Sequence, residues 1–305
     1  MQVPMRILGK TNLSVSVLGY GGAPVGFSSA GRQEDFVTLL RRAVDMGINF
    51  FDTAANYRRG EELFGAALQG CRDKVVLATK CGRVQKKGLG DWEDEEDWSE
   101  RGVLQSIDKS LRNLRTDYID LLQLHSPPRW VLEDGSAVLG AERAKEQGKI
   151  RHFGLSADGP DALFAVRSDV FATLQISMSI LEQEPAGEII PEAFRRKMGI
   201  IIKQPIANGV AEMSERPIYP DWWLKWETAR RMDWRALDAT EDRMPLALRW
   251  VLANPMVSTA IVGTTSLEHL EANVAAALMP ALDADVVARA GDEYRKAKAL
   301  AENAL

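Results

Sequence analysis

Short apolar runs alternate along this chain with segments whose apolar residues recur every three to four positions, the signature of strands alternating with amphipathic helices. Residues 5–16 read as a hairpin turning at Gly9 to Asn12 and capping the rest. A first strand, residues 17–22, dissolves into Gly19, Gly21 and Gly22. A helix follows over 34–46, with Phe36, Leu39, Leu40, Ala43 and Val44 on one face and Gly47 as its stop. The rhythm then repeats. Strands are predicted at 48–51, 74–79, 118–124, 150–155, 170–176, 199–202 and 257–262. Helices are predicted at 61–68, 100–114, 134–147, 160–166, 187–197, 245–253 and 266–277, followed by one extra helix at the C-terminus.

Strands that alternate with helices form parallel sheets, and nearly continuous apolar strands are covered on both faces. Eight such pairs within 305 residues predict one domain, residues 1–305: an α/β (β/α)8 TIM barrel with an N-terminal β-hairpin cap. The rival is an open doubly wound sheet. It needs a G-x-G-x-x-G turn, and Gly19-Tyr20-Gly21-Gly22 lacks that spacing. Two stretches stand outside the repeat. One is the acidic insert from Asp91 to Trp98, read as a solvated loop. The other, residues 219–234, carries Trp222, Trp223, Trp226 and Trp234, either packed on the barrel or lining a pocket.

Charge and cysteine content narrow the partners. A net charge of −5 without a long basic tract argues against nucleic acid and for a small-molecule partner. Cys71 and Cys81 lack a CxxC spacing or a neighbouring His, so neither a disulfide framework nor a metal site is expected. The N-terminus has no signal-peptide core, and no apolar run has the ~18 residues of a membrane span, so a cytoplasmic protein is expected.

In a barrel of this type, reactive groups sit at the C-terminal ends of strands. Asp52, Lys80 and His125 each follow an apolar run, and Tyr57 lies in the loop after Asp52. Taken singly, Asp52 is a turn cap, His125 a turn residue before Ser126-Pro127-Pro128, and Tyr57 a surface phenol. Lys80 resists such a reading, because an ammonium at a buried strand end needs a partner, and Asp52 is the obvious one. Lys80 would then draw the Tyr57 pKa down from ~10 toward working pH, where a general acid works best. His125 would hydrogen-bond the same substrate oxygen. Such a group of residues protonates a carbonyl while hydride arrives at its carbon, and no side chain supplies hydride, so a nicotinamide is implied. A barrel Lys also suits Schiff-base chemistry in an aldolase-type lyase. A cofactor-binding sensor or regulatory subunit without turnover is a third reading.

The chain resembles the aldo-keto reductases over nearly its whole length. The resemblance is carried by Asp52-Thr53-Ala54 with Tyr57 and Glu61-Glu62, by Ala78-Thr79-Lys80, by Thr116-Asp117-Tyr118-Ile119-Asp120-Leu121, by Gln123-Leu124-His125 and by Gly148-Lys149-Ile150-Arg151. It implies a catalytic tetrad of Asp52, Tyr57, Lys80 and His125, and an NADP(H)-dependent reduction of an aldehyde or ketone, or the reverse oxidation of an alcohol or sugar hemiacetal, with NAD as an alternative cofactor. Ser156 and Gln175 match family contacts to the nicotinamide amide, while Ala157 replaces an Asn. Lys203-Gln204-Pro205-Ile206 stands where many members have Tyr-Ser-Pro-Leu, as in a subgroup with Lys there. Lys203, Pro205, Ile206 and Gly209, with Gly22, are the implied contacts along the middle of the cofactor. Gly263, Thr264, Thr265, His269 and Asn273 are those at its adenosine end, where Ala272 replaces a commonly acidic residue. Without Lys or Arg in that segment a 2′-phosphate preference is weakly encoded. Trp92, Trp98, Trp222 and Trp223 are candidate walls of the substrate pocket.

Overall fold

The computed structural model describes residues 2–29, 31–85, 94–237 and 242–305. The N-terminal hairpin pairs β1 (Met5–Ile7) with β2 (Ser14–Ser16) in antiparallel register, and Asn12 takes the left-handed conformation that its turn requires, at φ 59°. Eight parallel strands then close into a barrel. In chain order the first three are β3 (Leu18–Gly21), β4 (Phe50–Asp52) and β5 (Val76–Cys81). A short antiparallel pair follows, β6 (Arg83–Gln85) with β7 (Asp94–Glu96). The barrel resumes with β8 (Ile119–His125), β9 (Ile150–Ser156), β10 (Thr173–Ser177), β11 (Gly199–Lys203) and β12 (Thr259–Val262), which returns to β3.

Helices surround the barrel: α1 (Ala23–Phe27), α2 (Gln33–Asp45), α3 (Gly60–Ala67), α4 (Glu100–Leu114), α5 (Arg129–Asp134), α6 (Ser136–Glu146), α7 (Gly159–Arg167), α8 (Ile189–Arg195), α9 (Trp223–Arg231), α10 (Met244–Ala253), α11 (Leu267–Leu278) and the long C-terminal α12 (Ala284–Glu302). The helix expected at 134–147 is found as α6, from Ser136; Gly135, at φ +80°, separates it from the short α5, which periodicity did not predict.

Two cores result. The larger packs the outward strand faces against the helices. The smaller lies inside the barrel, where Phe50, Val76, Ala78, Leu121, Ile201 and Ile261 meet Leu8 and Val15 of the hairpin. The hairpin therefore plugs the N-terminal mouth of the barrel, opposite the C-terminal ends of the strands. Asp52, two residues beyond Phe50, lies on the same inward row and marks where the interior turns from apolar to polar.

Three boundaries differ from the sequence reading in a way that matters for the site. Asp52, Lys80 and His125 lie within strands, not after them, so ladder hydrogen bonds hold their backbones. The last part of the acidic insert is the strand β7, and its carboxylates have specific partners: Asp94 accepts from Asn56 Nδ2 at 2.8 Å, and Glu96 pairs with Arg83 at 3.0 Å. Trp92 lies outside the described residues. Among the described residues, no helix is long and apolar enough to cross a membrane.

Candidate active site

Strand register assembles the site in rungs. Lys80 of β5 is the register partner of Gln123 in β8; one step further toward the C-terminal mouth, His125, Ser156 and Gln175 sit side by side on β8, β9 and β10. These residues line the polar end of the barrel interior, and Asp52, Lys80, Gln123, Ser156 and Gln175 are all at most 1% exposed. Lys80 Nζ lies 2.5 Å from Asp52 Oδ2 and donates at 3.0 Å to the carbonyl of Thr53. Asp52 Oδ1 accepts from the side-chain amides of Gln123 and Gln175, each at 2.9 Å.

The other two expected residues complete the group. The Tyr57 ring stands with its centroid 5.1 Å from Lys80 Nζ and 5.7 Å from the centroid of the His125 imidazole, edge to face. Phe27 also packs against this ring, centroid to centroid at 5.3 Å. Gly26 makes that loop possible, since a Cβ there would fall 2.5 Å from the carbonyl oxygen of Tyr57. The structure thus brings Asp52, Tyr57, Lys80 and His125 together from three strands and one loop.

The electrostatics correct one expectation. Removal from water is the largest influence on the Tyr57 phenol and raises its pKa above the ordinary 10.0; Lys80 opposes that rise, and Asp52 and Asp94 add to it. The phenol is therefore held protonated, not drawn toward neutral pH. Burial alone would lower the Lys80 pKa, but Asp52 and then Tyr57 outweigh it, and the ammonium titrates above 10.5. His125 moves the other way. Burial, then the cations Lys80, Lys203 and Arg83, hold its pKa well below 6.5, so the imidazole is neutral. Its Nδ1 is buried without a hydrogen-bond partner among the described residues.

Backbone strain gathers at the same place. Arg58 follows Tyr57 at φ 44°, Ser126 follows His125 at φ 52°, and Gln204 follows Lys203 at φ 54°. Each is a non-glycine residue in the left-handed region, a conformation that costs free energy and clusters at functional sites. No residue type announces it in the sequence.

The residues expected to meet a cofactor fall into three groups. Ser156 Oγ donates to Gln175 Oε1 at 3.0 Å, and Gln175 in turn holds Asp52, so this pair is joined directly to the Asp52–Lys80 pair. Lys203 Nζ is 2.7 Å from Asp158 Oδ2, and Asp158 Oδ1 accepts from the Ser177 amide at 2.8 Å. Asp158 drew no attention in the sequence, although an acid directly after the Ser156-Ala157 pair was the available signal. Beyond Pro205 and Ile206 the chain turns through Ala207 (φ 48°), Asn208 (φ 56°) and Gly209 (φ 75°), and nothing lies within 4 Å of where a Gly209 Cβ would stand. Gly263 and Gly22, by contrast, are packed: a Cβ on either would meet Gly21 and Pro24, or Phe64. Thr264 accepts from Tyr20 at 2.5 Å through its carbonyl. Ser266 caps α11 by accepting from the His269 amide; Thr265 and His269 are exposed at this helix start, with Asn273 half-buried one turn on. An open left-handed turn and a helix N-terminus are donor sets suited to phosphate oxygens, so the residues present fit a dinucleotide.

The tryptophans fall elsewhere. Trp98 is buried, its ring against Gly82 and its indole N–H on Glu96 at 2.9 Å. The indoles of Trp223, Trp226 and Trp234 donate to the carbonyls of Pro217, Met213 and Ala229. Trp222 lines a cavity of about 380 Å³ with Leu181, Gln204, Lys225 and Tyr294, which none of the four central residues reaches.

A parallel eight-stranded barrel whose open end carries this Asp–Lys–Tyr–His group is the architecture of a nicotinamide-dependent oxidoreductase. The Aldo/keto reductase family matches residues 17–292. The chain is similar to L-galactose dehydrogenase of Arabidopsis thaliana (30% identical over 90% of this chain and 88% of the relative) and to D-threo-aldose 1-dehydrogenase of a Pseudomonas species (32% over 67% and 69%). Its fold matches the holo form of an aldo-keto reductase from Bacillus halodurans with a TM-score of 0.83, at 26% identity over 95% of this chain and 96% of the other. The chain belongs to the aldo/keto reductase family and is an NAD(P)H-dependent oxidoreductase.

Proposed function

We propose that the protein reduces an aldehyde or ketone with NADP(H), Tyr57 giving the proton to the carbonyl oxygen, and that the reverse direction oxidises an alcohol or a sugar hemiacetal. The observation that carries this reading is the geometry of Tyr57, set between the Lys80 ammonium and a neutral His125. A bound reduced nicotinamide supplies hydride. The protein supplies the rest. Tyr57 is held protonated and so has a proton to give; Lys80, kept charged by Asp52, lowers the cost of the transfer by stabilising the phenolate left behind. Neutral His125 donates one hydrogen bond to the substrate oxygen and orients it. In reverse, the phenolate is the base.

The hemiacetal direction is supported by the two sugar dehydrogenases that the chain resembles. The lyase reading is disfavoured because a Schiff-base nucleophile must be a neutral amine, and Lys80 is paired with Asp52 at 2.5 Å. Ser156 and Gln175 would hold the nicotinamide end, the turn through Gly209 and the first turn of α11 the phosphates. NADP(H) over NAD(H) rests on the family resemblance.

The test is cofactor consumption across aldehydes and, in reverse, free aldoses, together with quenching of tryptophan fluorescence by NADPH and NADH. Turnover with at least one carbonyl or aldose, and tighter quenching by NADPH, are expected. Tight binding without consumption across the whole panel would identify a sensor, and borohydride trapping of substrate on Lys80 a lyase.

A further inference from the structure

Asp52 accepts three hydrogen bonds in the barrel interior: Lys80 on Oδ2, and Gln123 and Gln175 together on Oδ1. The two glutamines differ. Gln175 also accepts from Ser156, so its amide has a second role. Gln123 is 0% exposed, and its Oε1 has no partner among the described residues; its bond to Asp52 is the single use of a buried amide. A buried amide with an orphan oxygen costs free energy that a leucine of similar volume avoids, so packing gives no reason for a Gln between Leu122 and Leu124. A carboxylate gripped through both oxygens cannot rotate. Without Gln123, Oδ1 keeps only Gln175, whose amide is also tied to Ser156, and the hold on the carboxylate is halved.

We propose that Gln123 is a positioning residue for the proton transfer: together with Gln175 it holds the Asp52 carboxylate in the rotation that keeps Oδ2 on Lys80, and so steadies the ammonium against Tyr57. This rests on the carbonyl-reduction reading above. The charged and titratable groups that face the phenol are Lys80 of β5, Asp52 of β4, Asp94 of β7 and His125 of β8. Gln123 touches only the Asp52–Lys80 part of that set. Without its amide, the Asp52 charge is shared with one dipole fewer and bears harder on the phenol, which then titrates at higher pH.

Two variants test this. Gln123→Leu is expected to lower the rate constant for reduction about tenfold with little change in KM, and to move the basic limb of its pH profile up by about half a unit. Gln123→Glu keeps the length and donates to Asp52 only while the introduced carboxyl is protonated. Its activity is expected near that of the wild type at the acid end and to fall as that carboxyl ionises, a dependence the Leu variant lacks. Because Gln123→Glu preserves shape, it also decides the matter if Gln123→Leu folds poorly. Unchanged profiles in both variants, or an equal loss at every pH in both, would overturn the proposal. Ionisation of Tyr57 in cofactor-free protein, read as near-ultraviolet absorbance against the matching Tyr57→Phe background, separates this from the functional reading. The phenol titration moves in Gln123→Leu if the positioning is right, whether or not the wild type turns over a carbonyl.

Discussion

His125 is the residue whose charge state the structure defines most sharply, and it links the site to stability. Its folded pKa is depressed, by burial first and by Lys80, Lys203 and Arg83 after that. A depressed value means that the unfolded chain takes up a proton at a pH where the folded one does not. The stabilising contribution is therefore complete above the ordinary value of 6.5 and is lost as pH falls below it toward the folded value. In urea denaturation, His125→Leu is expected to show a flatter fall in stability between neutral pH and about pH 5 than the wild type. Parallel curves would mean that His125 is not held neutral. At this scale much was legible in the sequence: Asp52, Lys80 and His125 stood out because each interrupts an apolar run. Gln123 interrupts one too, but a neutral amide suggests no chemistry until its partner is seen. The direction of the Tyr57 shift is not legible in the sequence, which shows which charges are near but not how much water has been removed.

The hairpin and the inner ends of the strands form a second functional layer beneath the site. Leu8 and Val15 fill the barrel against Phe50, Val76 and Leu121, directly under the row that carries Asp52 and Lys80. Leu8→Ala opens a cavity in a fully buried position and is expected to cost about 2–5 kcal/mol, read from the urea midpoint. A loss below about 1 kcal/mol would show that the hairpin does not plug the barrel. Hairpin and helix positions followed from periodicity because α2, α4 and their counterparts each bury one stripe against the barrel. The short α5 was not legible, since the left-handed φ of Gly135 that sets it apart from α6 exists only in the fold. Nor was β7, because a run of acids reads as solvated until the register with β6 brings Arg83 to it and Asn56 reaches it from the loop after β4.

At the scale of the molecule, one plugged and one open end give the barrel a direction, and the Asp52, Tyr57, Lys80 and His125 group lies at the open end. Eight strand and helix pairs were countable in the sequence. Which strand ends converge, and at what height in the barrel, depended on register alone. The tryptophan-rich region around α9 stayed ambiguous in the sequence because an indole that lines a pocket and one that donates to a local carbonyl have the same spacing. The central claim is that this open end transfers a proton from Tyr57 to a carbonyl oxygen. Its most direct test is single-turnover reduction of an accepted aldehyde by NADPH-loaded wild type and Tyr57→Phe, with cofactor binding followed in parallel by tryptophan fluorescence. The account predicts a loss of about 10² to 10⁴ in the reduction rate with cofactor binding retained. A rate within about tenfold of the wild type would contradict it and remove Tyr57 as the acid.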